Sequence, residues 1–133
     1  MKSNQFKGGT NGMIFVFGSN LAGRHGKGAA LYATKQYGAK YGVGEGISGN
    51  SYAIPTKDER LCVIPWSDVC KSIDTFLEYV TSSGKTEIFL LTPIGCGLAG
   101  YRASDLYRYL QKKGLPNNVV LSSSWVNDHT LTK

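Results

Sequence analysis

The sequence is short of the residues that usually signal metal, redox or disulfide chemistry, with three cysteines and two histidines. Cys62, Cys70 and Cys96 are odd in number and show no C-x-x-C spacing, which excludes both a disulfide framework and a zinc site as expectations. A reducing, cytoplasmic setting follows as the default. His25 and His129 stand alone, with no second histidine or carboxylate at a ligand spacing, and both read as surface residues. Neither a metal nor a cofactor is expected. Long hydrophobic runs are also missing: the longest, Met13 to Phe17, has five residues, against the ~20 needed for a membrane helix. No membrane partner is therefore expected, and Met1 to Thr10 is polar, without a signal-peptide core. Acidic residues are few, nine against 15 Lys plus Arg, for a net charge of +6. That balance favours an anionic partner, such as a nucleotide or a nucleic acid, and says nothing about fold.

What the chain does have is length for one core and an excess of glycine. Its 133 residues, 41% hydrophobic, suit a single domain. The boundaries read as a polar arm over 1–12, a domain over 13–126 and a tail over 127–133. Glycine occurs 17 times, with no collagen period or low-complexity repeat to explain it. The glycines cluster in three connections between well-defined elements.

The predicted elements alternate. Met13-Ile-Phe-Val-Phe17 is a strand buried on both faces. A glycine-bearing segment, 18–28, leads to a helix over about 29–37 that Gly38 ends. A second glycine loop, 42–49, precedes strands at 51–54 and 61–64, separated by Pro55-Thr-Lys-Asp-Glu-Arg60. An amphipathic helix follows, with Ser67 as its N-cap, Val69, Cys70, Ile73, Phe76, Leu77 and Val80 on one face, and Gly84 as its stop. A strand over 87–91, a third glycine loop at 95–100, a helix over 103–113 and a strand over 119–121 complete the order. This alternation predicts a three-layer α/β domain with a mixed, mostly parallel central sheet. Ligands of such sheets sit at the carboxyl ends of the strands, where the first and third glycine loops fall.

Several motif matches fail on context. Gly44-Glu-Gly-Ile-Ser-Gly49 fits G-x-G-x-x-G but precedes a strand, so no helix N-terminus meets a pyrophosphate. Gly84-Lys-Thr86 runs from helix to strand, opposite to a P-loop. Gly18-Ser-Asn20 lacks the second glycine of a nucleophile elbow.

Two segments survive. Thr92-Pro-Ile-Gly-Cys-Gly-Leu-Ala-Gly-Tyr101 leaves a buried strand and enters a helix, and its glycines let backbone N–H groups turn inward around an anion. The alternative, a tight structural turn, needs fewer glycines. Gly18-Ser-Asn-Leu-Ala-Gly-Arg-His-Gly-Lys-Gly28 has the same placement. Its Asn20 is suited to hydrogen-bond a ribose or base edge, and Arg24 and Lys27 supply charge, unless they simply face water. Trp66 reads either as a staple for the long helix or as a flank of the site. Tyr101, Tyr107 and Tyr109 read as helix-flank cover or as stacking residues.

Taken in order, the Ser-Asn loop with Gly-Lys-Gly-Ala-Ala, the Ile-Pro-Thr-Lys segment and Pro93-Ile-Gly-Cys-Gly-Leu98 resemble a macro domain. The resemblance is greatest to the branch that holds the terminal ADP-ribose glycohydrolase and the antitoxin that strips ADP-ribose from DNA. It spans about Met13 to Trp125 and implies a macro-domain-like fold. It further implies that Ile94, Gly95, Cys96, Gly97 and Leu98 wrap the diphosphate and distal ribose. Ser19, Asn20, Gly26 and Gly28 would form the opposite wall, Lys57 would stand beside the anomeric carbon, and Trp125 would pack on adenine. Ala99 replaces the acidic residue that the protein-deribosylating enzyme carries after its Gly-Leu, so a carboxylate route through that position is closed and a lysine route stays open.

The chemistry of Lys57 has its own case. An amine beside an ADP-ribose anomeric carbon can attack the ring-opened sugar or act as a general acid–base. Pairing with Asp58 or Glu59, or a plain surface position, would argue otherwise, and Glu45 and Asp58 are alternative acid–bases. The expected partner is ADP-ribose, free or attached to nucleic acid or protein. Three functions follow: a hydrolase of that linkage, a non-catalytic reader or sequestering module, and a macro-like interaction surface without nucleotide binding.

Overall fold

A computed structural model of the chain describes residues 13–26, 28–82, 87–95, 100–122 and 125. The arm and tail expected at the two ends lie outside these residues. The elements are β1 (Met13–Asn20), α1 (Gly28–Tyr37), β2 (Gly46–Ser48), β3 (Ser51–Lys57), α2 (Trp66–Thr81), β4 (Ile88–Leu91), α3 (Ala103–Lys113) and β5 (Val119–Leu121). The five strands form one sheet in the order β2-β3-β1-β4-β5. β1 pairs in parallel with both β3 and β4, and β4 with β5, while the short β2 runs antiparallel to β3. The protein is thus an α/β domain with a mixed, mostly parallel sheet, compatible with a three-layer macro-like architecture.

Alternation along each strand assigns the two faces. Ile14 and Val16 of β1, Tyr52 and Ile54 of β3, and Phe89 and Leu91 of β4 point into one core with the inner sides of α2 and α3. Phe15 and Phe17 of β1 and Ala53 of β3 point to the other, beneath α1. Helix α2 buries Val69, Ile73, Phe76, Leu77 and Val80, the three- and four-residue spacing of a single helical stripe. Helix α1 presents small residues, Ala30 and Ala33, with Tyr37. The Tyr37 ring stacks on Phe15 with centroids 4.8 Å apart.

Four local expectations are corrected. Residues 61–64 do not form a strand; Val63 makes a lone antiparallel bridge to Lys57. Strand β3 instead runs on through Pro55 to Lys57. Pairing to β2 ends at Ala53, which leaves one side of β3 open where a proline is tolerated. The second glycine loop contains β2, whose Ile47 is exposed, so it gave no buried-strand signature. Ser67 is not the N-cap of α2. The helix starts two residues earlier, with Pro65 in the cap position and no side-chain cap, and the Asp68 and Val69 N–H groups bond the Pro65 carbonyl. His25 is not on the surface: it is 1% exposed. Gly84, the expected stop of α2, lies outside the described residues, and the helix ends at Thr81.

Two predictions follow from the core between sheet and α2. Phe76 is fully buried against Tyr52 and Phe89, at ring separations of 5.0 and 5.8 Å. Phe76→Ala is expected to cost about 3–5 kcal/mol in denaturant unfolding. Burial, helped by Glu45 and Tyr79, pushes the Tyr52 phenol up to about 12. A raised folded-state pKa gives stability that is whole below the unfolded value near 10 and lost as pH rises through the folded one. The melting temperature should therefore fall between pH 10 and 12, and Tyr52→Phe should flatten that fall.

Candidate functional site

The carboxyl ends of β1, β3 and β4 open onto a single cavity of about 1220 Å³. Gly18, Asn20, Arg24 and Gly26 of the first glycine segment meet Gly95 there. A Cβ placed on Gly18, near the end of β1, would lie 3.1 Å from the Gly95 amide nitrogen and 3.4 Å from the Ile94 Cα. The two backbones therefore run close together, and a side chain at Gly18 would require them to give by a few tenths of an ångström. Gly95 itself has φ +72, and a Cβ on it would stand 2.6 Å from the Tyr101 ring and 3.1 Å from Thr56 Cγ2. That ring cannot yield easily, because the Tyr101 hydroxyl bonds the Ile64 carbonyl and its N–H bonds the Gly95 carbonyl at 2.8 Å.

The first connection is pinned from outside by the segment before β2. The Ser19 hydroxyl donates to the Gly44 carbonyl, and the Gly42 N–H donates to the Gly23 carbonyl at 2.7 Å. His25 lies beneath: its Nε2 is 3.1 Å from the Val43 carbonyl, and its ring meets Phe17 edge-on at 5.3 Å. Its Nδ1 is buried without a hydrogen-bond partner. These contacts hold the loop in a fixed shape, with Asn20, Arg24 and Gly26 lining the cavity. The Asn20 amide closes the loop on itself, donating to the Arg24 carbonyl and accepting from the Arg24 N–H, both at 2.9 Å. One amide hydrogen and one lone pair remain for a ligand.

Of the other expected site residues, Ser19, Gly28, Lys57, Ile94 and Gly95 also line the cavity. Cys96, Gly97 and Leu98, with Ala99, lie outside the described residues, as does Lys27. Trp125 does not line the cavity. It is 2% exposed in the core beneath α3, and its indole donates to the Leu91 carbonyl at 2.7 Å, so it has no face for adenine. Ser122, just past β5, reaches the cavity instead. Glu45 and Asp58 do not line it. The Asp58 carboxylate accepts from the Arg60 and Cys62 N–H groups at 2.9 and 3.0 Å and organises the turn after β3.

The electrostatics are one-sided. Arg24 and Lys57 are the charged side chains of the lining, and no carboxylate is among them. Lys57 has no carboxylate within ion-pair distance among the described residues, so neither Asp58 nor Glu59 neutralises it. Helix α1 begins at the mouth, with Gly28 and Ala29 in the wall and no acidic residue in its first turn. Its first N–H groups lack intrahelical partners, and the helix dipole adds positive potential. A helix N-terminus and two cations without a carboxylate among the described lining residues suit an anion.

The lining also includes residues that sequence reasoning missed. Phe15, Tyr32, Tyr37, Tyr41, Leu61 and Leu90 give the cavity an apolar side. Tyr32 lies four residues after Gly28, one turn along the same face, the signal that could have found it. Leu61 carried none: it joins from a turn in which it adopts φ 66, the sole positive φ of a non-glycine residue among those described. No group of three or more His, Cys, Asp or Glu among the described residues could hold a metal, and no helix among them is long and apolar enough to cross a membrane.

The two glycines of the wall should respond differently to a methyl group. Gly95→Ala, which meets both strain and the Tyr101 ring, is expected to cost about 1–3 kcal/mol. Gly26→Ala, with nothing within 4 Å of the added carbon, should unfold at the wild-type temperature. Thermal melts of the two variants side by side check the pair.

No protein-family model, curated protein or solved structure matches the chain, so the functional reading rests on the cavity and on the motifs that frame it.

Proposed function

We propose that this protein binds ADP-ribose and hydrolyses the bond between its distal ribose and an acceptor on nucleic acid or protein. The observation that carries the reading is the convergence of Gly18, Asn20, Arg24, Gly26, Gly95 and the α1 N-terminus on one cavity with two cations and no carboxylate among its described lining residues. A diphosphate carries two negative charges, which Arg24, Lys57 and the α1 N-terminus in this wall would offset. The cavity is somewhat larger than the roughly 300–1,000 Å³ typical of small-ligand pockets, room enough for a nucleotide sugar with part of its acceptor. Tyr32, Tyr41 and Leu61 offer apolar surface to a base or sugar face.

Lys57 is assigned to the reacting sugar. With the distal ribose ring open, its amine adds to C1 and the C1–acceptor bond breaks, the acceptor leaving with a proton. Water then hydrolyses the resulting imine, which frees ADP-ribose and restores the amine. No second carboxylate is required, in keeping with a lining that has none. That same lack favours a second reading, a module that holds ADP-ribose without turnover.

Calorimetry with free ADP-ribose tests binding, and incubation with an ADP-ribosylated thymidine oligonucleotide or protein tests turnover. Binding saturated at a hundredfold excess over Kd should stabilise the fold by about 2.7 kcal/mol. Lys57→Ala should still bind and should lose hydrolysis by at least a hundredfold. Equal rates in variant and wild type overturn the lysine assignment. Binding without hydrolysis in the wild type leaves the reader, and no binding at millimolar ligand removes both.

A further inference from the structure

A second concavity lies on the other face of the sheet, where the start of α2 meets the outer side of α3. It has a volume of about 730 Å³ and is lined by Trp66, Tyr101, Asp105, Arg108, Tyr109 and Lys112. The floor is aromatic. Trp66 packs edge-on against Tyr101 and Tyr109, with centroids 5.1 and 6.2 Å away, and all three rings remain partly exposed. The Tyr109 hydroxyl donates to Asp74 at 2.6 Å, which fixes that ring in place. The edge is basic. Arg108 is oriented by Asp105 at 3.0 Å and stays 68% exposed in its side chain, while Lys112 has no ion-pair partner among the described residues. The two cations are four residues apart on α3, one turn and about 6 Å along the axis.

We propose that this groove binds single-stranded nucleic acid, with a base stacked on Trp66 beside the Tyr109 ring and successive phosphates at Arg108 and Lys112. Aromatic rings beside a line of cations form the standard platform for a strand without sequence preference, and the net charge of +6 supports association with a polyanion. A protein partner would find little to fill here, since the exposed part of the floor is ring surface and the edge carries charge along its length. The chemistry recognised is a planar base with a phosphate, and the strand is favoured over a free nucleotide because two cations in register serve two phosphates. The inference stands apart from the reading of the main cavity.

Tryptophan fluorescence reads it directly, because Trp125 is 2% exposed and Trp66 is the ring a stacked base reaches. A ten-residue thymidine oligonucleotide should quench the emission saturably, and the affinity should fall with salt. In the Arg108→Gln/Lys112→Gln double variant the affinity should drop at least fivefold, and the salt slope should shrink by about 1.4, two phosphates at ~0.7 each. Trp66→Phe should remove the quench, and a labelled oligonucleotide should still report binding to it by anisotropy. Calorimetry of the double variant with ADP-ribose should match wild type, whatever the wild-type result is. The inference is overturned by an absent quench, by a double variant that binds like wild type, or by thymidine monophosphate binding as tightly as the strand. It is equally overturned if Arg24→Gln or Lys57→Ala abolishes strand binding while the double variant keeps it, since the strand would then lie in the main cavity.

Discussion

The approach of two backbones at the rim of the sheet governs this molecule. Gly18 sits where a side chain would press on the Gly95 nitrogen and the Ile94 Cα, so glycine lets the end of β1 lie close to the chain that follows β4. Parallel pairing of β1 with β4 from Met13↔Ile88 to Val16↔Leu91 delivers both ends to the same height. The Thr92 hydroxyl and N–H, both bonded to the Val16 carbonyl, carry the register one step further. Glycine therefore lets the two backbones run close together at this rim.

Electrostatics and packing act on that geometry together. The carboxylates nearest the site are engaged elsewhere or stand away from it, as with Asp58, which caps its own turn. Among the described residues neither Lys57 nor Arg24 has a carboxylate within ion-pair distance. On the far side of the rim loop, Tyr101 supports Gly95 and tethers the chain before α2 through Ile64. A single aromatic residue thus joins the cavity wall to the α2–α3 layer. Loosening that layer is expected to be felt at the rim by this route, through contact alone.

Much of this was legible in the residues. The two-faced strands announced themselves as unbroken apolar runs, and α2 and α3 by their stripes, because burial on both sides or on one leaves a period in the sequence. The rim position of the glycine loops followed from strand-to-helix order. What was hidden is tertiary. Trp125 follows a strand just as an adenine-packing residue would, and only the indole bond to Leu91 reveals a core role. His25 is polar and isolated in sequence, yet it fills the space under the loop against Phe17 and Tyr41. Asn20 looked like a ligand contact and spends most of its amide closing its own loop. Leu61 and Tyr41 reach the cavity from turns, where no period exists to read.

The central claim of the proposed function is that the glycine-lined rim of this cavity holds a pyrophosphate. Glycine-selective nitrogen labelling with titration of ADP-ribose into the protein, followed by amide resonances, tests it most directly, since Gly18, Gly26, Gly28 and Gly95 all line the cavity. The account predicts that these four shift together along one saturation curve while Gly114, at the far end of α3, stays in place. Unmoved resonances in the four, or shifts centred on glycines away from the cavity, would contradict it.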